Sequence, residues 1–373
     1  MKPQDFPYID RALQQAIENG STPGAVLLID WKGELLYRNA VGYAQVYSEH
    51  RTMTAETFFD VASLTKVLAT TTAVMLLLRD KNISLHAPVQ RFIPEFPSER
   101  VTLTHLLTHT AGFPDHVPFY ELIQQEADKQ GGDYIGSLAA RQLVIQKIYD
   151  TTPIYEPGQY TKYSDLDFIL LGHIIESITG APLNQFCNEA IFQPFGMLHT
   201  FFQPLEKDRR HGEYAATERC EWRRAMMCGR VHDENAYAMG GVAGHAGLFS
   251  TIDDIHRFML KLYACYAGDD DTIPQEIVTK FFTRQQVVPN SSRALGWDTP
   301  SLHPGKKSSG GTLLSEQSIG HTGFTGTSIW FDLKRKLLIV LLANRIHPSR
   351  HNSTFLKMRP KIHDTVVIAV DNL

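Results

Sequence analysis

The stretch Phe58–Ala73, FFDVASLTKVLATTTA, places Ser63 and Lys66 at the start of an apolar run that reads as a helix entered from a strand edge. Three residues make about one helical turn, so the two side chains share a face. A hydroxyl there has an amine beside it and the positive end of the helix dipole behind it. Serine is a weak nucleophile until a neighbouring base takes its proton, and a desolvated lysine can be that base. The same spacing also arises from an exposed pair or an N-cap serine, so it does not decide the chemistry alone.

Two later segments bear on it. Tyr160–Leu171, YTKYSDLDFILL, follows the turn Glu156-Pro157-Gly158 and leads into an apolar helix ending at Gly180. Tyr163, Ser164 and Asp165 therefore lie on a loop entering a helix, where chemistry is often carried, although Ser164 or Asp165 also reads as an N-cap. Ser318–Trp330, SIGHTGFTGTSIW, interrupts a strand-like run with three glycines before an acidic turn and the strand KLLIVLLA, Lys336–Ala343. Glycine in a strand marks either a bulge or a place where a ligand or backbone comes close.

A Ser-x-x-Lys helix, a Tyr-x-Asx loop and a Lys/His-Thr-Gly strand, in this chain order, are the three elements of the penicillin-recognising serine hydrolases. The chain resembles that superfamily, on the side of the class C β-lactamases, DD-peptidases and related esterases. Leu103–Phe113, Ile154–Leu171, Gly240–Phe258 and Leu337–Arg350 extend the likeness over most of its length. Tyr214–Gly247 and Ala343–Arg350 resemble a narrower group associated with muramyl-peptide hydrolysis. The resemblance implies acyl transfer: Ser63 attacks a carbonyl, Lys66 and Tyr163 carry protons, and the backbone N–H groups of Ser63 and Phe324 form an oxyanion hole. It implies substrate-binding roles for Asp165, His321, Thr322, Gly323 and Arg350, and needs no metal or organic cofactor.

Two positions depart from the superfamily pattern. Asp165 stands where asparagine is usual; an ionised aspartate only accepts hydrogen bonds, so a penicillin side-chain amide is held less well and an amine or hydroxyl better. Near Lys66 it also favours the charged lysine, which shifts the role of acting base toward a deprotonated Tyr163. His321 stands where lysine is common and supplies little permanent charge near neutral pH. Arg345 and Arg350 follow the last strand, and Arg350 is the candidate to replace that charge on a substrate carboxylate.

At 373 residues and 43 % hydrophobic content the chain can bury a large core. The net charge of −4, from 36 basic and 40 acidic residues, argues against nucleic acid as a partner. Val67–Leu78 is too short for a membrane span. The N-terminal segment reads as an amphipathic helix without a signal-peptide core, which predicts a cytoplasmic protein, or a periplasmic or extracellular one if a leader has been removed. Cys187, Cys220, Cys228 and Cys265 lack metal-type spacing and read as free thiols. His105 and His109 are four apart, but as part of a turn they read as structural rather than metal-binding; His232, Asp233, Glu234 and His245 read as loop-fixing or cleft-lining.

The expected architecture is α+β, β-lactamase/transpeptidase-like. An antiparallel sheet from N- and C-terminal segments is flanked by helices, with a mostly helical lobe inserted. One hydrolase domain has an α/β lobe at 1–62 and 250–373, a helical lobe at 63–249 and the active site in the cleft. Expected elements are a helix over Asp5–Asn19, a hairpin of Gly24–Asp30 and Glu34–Asn39, helices over Leu64–Asp80, Leu103–Leu107, Tyr134–Gln146, Asp167–Thr179, Leu183–Ile191 and Ile255–Tyr266, two strands within Gln317–Ala343, and a closing helix over Lys361–Val370. Phe113–Gly132 and Asp208–Val242 read as loops that set specificity. Among functions, hydrolysis of a peptidoglycan or muramyl-peptide fragment by an amidase or DD-peptidase ranks first. A carboxylesterase follows, then a β-lactamase; a non-catalytic binding protein of cell-wall peptides is the alternative of another class. The partner is accordingly a small molecule or cell-wall peptide, and the oligomeric state is open.

Overall fold

The computed structural model describes residues 6–81, 83–130, 133–302 and 308–373. Asp5, the first residue of the expected opening helix, and Gly132, the last of the expected 113–132 loop, lie outside them. Six strands form one antiparallel sheet: β1 (Gly24–Trp31), β2 (Glu34–Gln45), β3 (Arg51–Thr52), β4 (Ser318–Thr322), β5 (Ser328–Asp332) and β6 (Leu337–Ala343), in the spatial order β3-β2-β1-β6-β5-β4. The two ends of the chain meet where β1 pairs with β6, Leu28 opposite Val340.

Both central strands are buried along nearly their whole length and, apart from Asp30, carry no charged residue, because both faces of the sheet are covered. Val26 and Leu28 of β1, with Leu338, Val340 and Leu342 of β6, face the main core. The alternating Leu27, Ile29, Leu337, Ile339 and Leu341 face a second layer. That layer is made by helices α1 (Pro7–Glu18) and α5 (Phe355–Asp371), which also pack on each other. On the main-core side lie α4 (Ile252–Ala267) and the helical region that holds α2 (Thr72–Arg79) and α3 (Asp165–Thr179). By length and composition Ala62–Arg79 is long and apolar enough to cross a membrane, but 83 % of it is buried inside the protein, as expected of a core helix.

Several elements differ from the sequence expectation for local reasons. The helix expected over Leu64–Asp80 begins as a 3-10 turn at Ala62–Leu64 and a π-helical stretch at Lys66–Thr71 before becoming α-helical. Gln317–Ala343 holds three strands, not two, because Gly323–Thr327 reverses the chain, with the Gly323 N–H donating to Thr327 O at 2.8 Å. Leu138–Tyr149 starts later than expected, where Ser137 caps it by accepting from the Ala140 N–H. Phe119–Gln130 is a helix inside the segment expected to be a loop; it buries Phe119, Ile123 and Ala127 on one face. Gln275–Phe282, also helical, had no counterpart in the expectation.

Candidate active site

Ser63 sits on a turn built by Asp60. The buried Asp60 carboxylate accepts the Ala62 N–H at 2.9 Å and the His232 N–H at 2.6 Å. Burial raises its pKa, and those two N–H groups oppose the rise. Ala62 is held at φ 48, a left-handed conformation unusual for a residue with a β-carbon, immediately before Ser63. The π-helical stretch that follows opens with Lys66, and such irregular turns recur at functional sites.

Lys66 is fully buried, and its ammonium donates to Ser63 Oγ at 3.0 Å, Asp165 Oδ1 at 2.7 Å and His245 O at 3.2 Å. Three donors meet three acceptors, so the charged form is fully satisfied. Burial alone would lower its pKa, but Asp165 and then Tyr163 outweigh that and hold it at about 12. The His245 carbonyl reaches Lys66 because Gly244 lies flat against α3: a β-carbon there would stand 2.1 Å from Phe168 O. Thr70 Oγ1 donates to Gly244 O at 2.6 Å and fixes the same contact.

Tyr163 faces this pair, with Lys66 Nζ 4.8 Å from its ring centre. Burial pushes its hydroxyl pKa up, Lys66 pulls it back, and the net direction is upward, so the resting side chain is a neutral phenol. Its backbone is clamped on both sides by one residue: the Lys162 N–H donates to His109 O at 2.9 Å, and the Ser164 N–H to His109 Nδ1 at 3.2 Å. The same Nδ1 lies 2.9 Å from Asp167 Oδ2 in a fully buried pair. Burial drives His109 down and Asp167 up, each toward its neutral form. His105 lies in the helix Leu103–Leu107 and closes its capping box, whereas His109 lies beyond it at φ 56; the two do not share a face.

β4 reaches the serine turn through Gly323. A β-carbon at 323 would stand 2.1 Å from Thr327 Oγ1 and 2.6 Å from Val61 O, so only glycine allows the approach. Thr325 Oγ1 donates to Asp60 O at 2.8 Å and Thr327 Oγ1 to Val61 O at 3.0 Å, which ties the two segments together. Among the described residues no backbone carbonyl takes up the N–H of Ser63 or of Phe324. His321 and Thr322 line the same cleft. His321 is buried and stays neutral, its pKa driven well below the usual range by burial and then by Lys66 and Arg293.

Ser63, Tyr163, Asp165, His321, Thr322, Gly323 and Phe324 line a cleft of about 670 Å³ that also touches His116, Asp233, Arg293, Arg345, Arg350 and Arg359, while Lys66 is buried behind Ser63. A reactive hydroxyl, a buried ammonium, a phenol and two backbone N–H groups on one cleft suit acyl transfer. The sequence model of the Beta-lactamase family matches residues 9–359. This chain belongs to the Beta-lactamase family. It is a serine hydrolase of that superfamily. Among its relatives is an Escherichia coli (strain K12) protein described as "Putative D-alanyl-D-alanine carboxypeptidase", 34 % identical, the match covering 91 % of this chain and 82 % of the relative. In fold it is similar to the octameric penicillin-binding protein homologue from Pyrococcus abyssi, with a TM-score of 0.72 at 22 % identity over 95 % of this chain and 76 % of that one. The hydrolase EstCE1, with promiscuous acyltransferase activity, matches with a TM-score of 0.70 at 22 % identity over 96 % and 97 % of the two chains.

Within this family member the structure brings together Ser63, Lys66, Tyr163, Asp165, His321, Thr322, Gly323 and Phe324, as the sequence reading expected. Two of the expected binding residues also have charged partners inside the protein. Asp165 commits Oδ1 to Lys66; only Oδ2 is turned elsewhere, 3.9 Å from His116 Nδ1. Lys66, acting against the cost of burial, holds the Asp165 pKa below the usual carboxylate range. Arg350 lines the cleft, but its guanidinium is held by Glu218 at 2.6 Å and by Glu234, so its charge is already matched inside the protein. Glu218, Cys220 and Glu234 bring three potential metal ligands within 4.8 Å, yet Arg350 occupies both carboxylates. His232 is fixed by Glu218 and His245 by Asp233, the loop-fixing roles expected of them.

Sequence reasoning did not find Asp60, His116 or Arg359. Asp60 is an unremarkable strand-end acid in the sequence, and its function as a backbone anchor depends on His232, far away in the chain. Arg359 lies in a helix read only as a closing element, with no local signal of its place at the cleft.

Proposed function

We propose that this chain hydrolyses a peptide bond of a cell-wall fragment, with the specificity of a D-alanyl-D-alanine carboxypeptidase, through an acyl-enzyme on Ser63. The observation that carries the reading is the contact of Lys66 with both Ser63 Oγ, at 3.0 Å, and Asp165, at 2.7 Å. Supporting it are the relatives described as carboxypeptidases, which are matched over most of their length.

At rest Lys66 is an ammonium and Tyr163 a phenol. The reactive form carries one proton fewer. Lys66 already has three acceptors and Asp165 stabilises its charge, so the missing proton is that of Tyr163, and the phenolate stands beside the ammonium. Tyr163 takes the Ser63 proton as Oγ attacks the carbonyl, and the negative oxygen turns to the N–H groups of Ser63 and Phe324. Tyr163 then passes its proton to the departing amine. Water entering on the same side repeats the steps in reverse and frees Ser63.

The test is to incubate the protein and Ser63→Ala with a peptide ending in D-Ala-D-Ala, assay free D-alanine, and search for an acyl adduct on Ser63 by mass spectrometry. Ser63-dependent release of D-alanine supports the reading. Cleavage of p-nitrophenyl butyrate but not the peptide turns it to an esterase, and rapid nitrocefin turnover to a β-lactamase. Absence of any adduct or turnover leaves a binding protein.

A further inference from the structure

We infer that Asp167 serves the hydrolase as a carboxylic acid whose O–H donates to His109 Nδ1, and that this hydrogen bond places Tyr163 for proton transfer. Asp167 is thus a positioning residue, acting through His109. Tyr163 as the group that moves protons at Ser63 is the reading on which this rests, whichever acyl substrate the cleft takes.

A chain of contacts joins Asp167 to the tyrosine. The His109 ring packs against the Tyr163 ring, the centres 4.5 Å apart. Its Nδ1 accepts the N–H of the buried Ser164 at 3.2 Å, and among the described residues that N–H has no other acceptor. A neutral imidazole nitrogen carries either a proton or a lone pair. With an N–H already pointing at it, Nδ1 presents the lone pair. Asp167 Oδ2 lies 2.9 Å from the same nitrogen, so the hydrogen between them comes from the carboxyl. A proton on Nδ1 would instead face the Ser164 hydrogen and leave that buried N–H without an acceptor. Burial, then Arg293 and Lys66, keep His109 from taking a charge.

The other carboxyl oxygen points the same way. Asp167 is 1 % exposed, and its Oδ1 has no partner among the described residues. Buried carboxylates elsewhere in the chain are surrounded by donors. Asp254 accepts from the His199 N–H, the Thr200 hydroxyl and Arg257. Asp332 accepts from the Ser315 N–H and hydroxyl and from Arg335. A buried anion with a bare oxygen is far costlier than a neutral acid with one. Asp167 does lie in the first turn of α3, where the helix dipole favours negative charge, but that effect is small beside the cost of burial. The other groups around the pair do not offset it. Lys66 and Asp165 satisfy each other at 2.7 Å, Arg293 lies over the Tyr163 ring, and His321, Tyr155 and Tyr163 are neutral.

His109 holds the tyrosine loop by its carbonyl, on the Lys162 N–H, and by its ring, on the Ser164 N–H. Its Nε2 has no partner among the described residues, so Asp167 is what sets the orientation of the ring. Without the acid proton the imidazole is free to turn, release Ser164 and take the Tyr163 ring with it. A displacement of about 1 Å at a proton-transfer group costs about 100-fold in rate.

A spectroscopic and a kinetic readout test this together. Infrared difference spectra between the native protein and Asp167→Asn at neutral pH are expected to show a protonated-carboxyl C=O band that the variant lacks. Nitrogen NMR is expected to show a neutral His109 with its hydrogen on Nε2. Phosphonylation of Ser63 by a fluorophosphonate probe is expected to slow about 100-fold in Asp167→Leu, which fills the space and donates nothing. It should stay within about three-fold of the parent in Asp167→Asn, whose amide N–H replaces the acid O–H. Both variants are checked by thermal unfolding. Absence of the band, an imidazolium at His109, or an Asp167→Asn protein that is unfolded or 100-fold slowed overturns the inference. Should Asp167→Leu not fold, the band and the Asp167→Asn rate decide in the same way. Tyr163→Phe separates the two readings: unchanged phosphonylation there removes Tyr163 as the base, and the positioning role with it, whatever the state of Asp167.

Discussion

Lys66 Nζ and Asp165 Oδ1 stand 2.7 Å apart, joining the serine-bearing helix to the tyrosine loop by a pair of opposite charges with the lysine wholly inside. The pair fixes which groups hold protons before the substrate arrives. It also ties the stability of the cleft to its chemistry, because neither partner has a substitute counter-ion of equal proximity.

Asp165→Asn removes the charge that lifts Lys66. In the native enzyme Lys66, at about 12, and Tyr163, raised above its ordinary value, are both protonated at neutral pH. kcat/KM therefore rises with pH across the alkaline range as the one-proton-fewer form grows. In Asp165→Asn the rise is expected about one pH unit or more closer to neutrality. A native profile flat between about pH 7 and 10, or an unmoved limb in the variant, would show that this pair does not set the proton inventory. The variant should also gain nitrocefin turnover, since asparagine can donate to a substrate carbonyl.

Lys66→Met should abolish turnover and also destabilise the protein by about 3 kcal/mol, because Asp165 is left charged without its partner. The sign follows from the pair. The depressed Asp165 pKa contributes stability that is present above its unfolded value and lost on strong acidification. The raised Lys66 pKa contributes stability that is lost only as pH rises through about 12. Lys66→Met/Asp165→Asn is expected to recover most of the urea midpoint and none of the activity. Recovery of neither would mean that Lys66 is needed for packing rather than for charge.

Gly323→Ala places a methyl 2.1 Å from Thr327 Oγ1 and 2.6 Å from Val61 O. Backbone cannot yield cheaply there, so β4 must withdraw from the serine turn and take the Phe324 N–H with it. The loss of one oxyanion donor is worth about 100-fold or more in kcat, with KM changed less. Steady-state kinetics check this, and an unchanged kcat would remove the Phe324 N–H from the mechanism.

Acid should destabilise the fold before most of its carboxylates are protonated, because four depressed histidines outnumber the two raised carboxyls, Asp60 and Asp167, whose protonation works the other way. His109, His321, His347 and His363 are all pushed below the usual histidine range by burial, His347 to about 4 and His363 to about 3. For a depressed histidine the folded state stays neutral while the unfolded chain takes the proton. Its contribution is thus complete above the unfolded value and is lost as pH falls below about 6.5, at about 1.4 kcal/mol per pH unit for each such group. Urea midpoints measured between pH 7.5 and 4.5 should fall steeply, and His363→Gln should flatten the slope by about one group's share. Equal slopes in the variant and parent would place the acid sensitivity elsewhere.

Much of the fold could be read along the chain. GAVLLID and KLLIVLLA announce buried strands by apolar content, and Gly180 closes α3 at a left-handed φ of 67. The reading failed where tertiary contacts override local pattern. Phe119–Gln130 has only three buried positions in twelve, a weak periodic signal, and becomes a helix by packing them on the core. The third strand at the C-terminal end was hidden because glycine and threonine in HTGFTGT also describe a bulged single strand.

For the site, the residue types and their order along the chain were determined by the sequence alone, because Ser63, Lys66, Tyr163 and the His-Thr-Gly strand each carry a recognisable local pattern. What only the tertiary structure decided is which charges meet. Asp165 is consumed by Lys66, Arg350 by Glu218 and Glu234, and Arg345 and Arg359 are left without an anion. Pairing depends on distances of a few ångströms between residues 99 to 132 positions apart, and Coulomb and desolvation energies vary so steeply with separation and burial that no linear spacing encodes them.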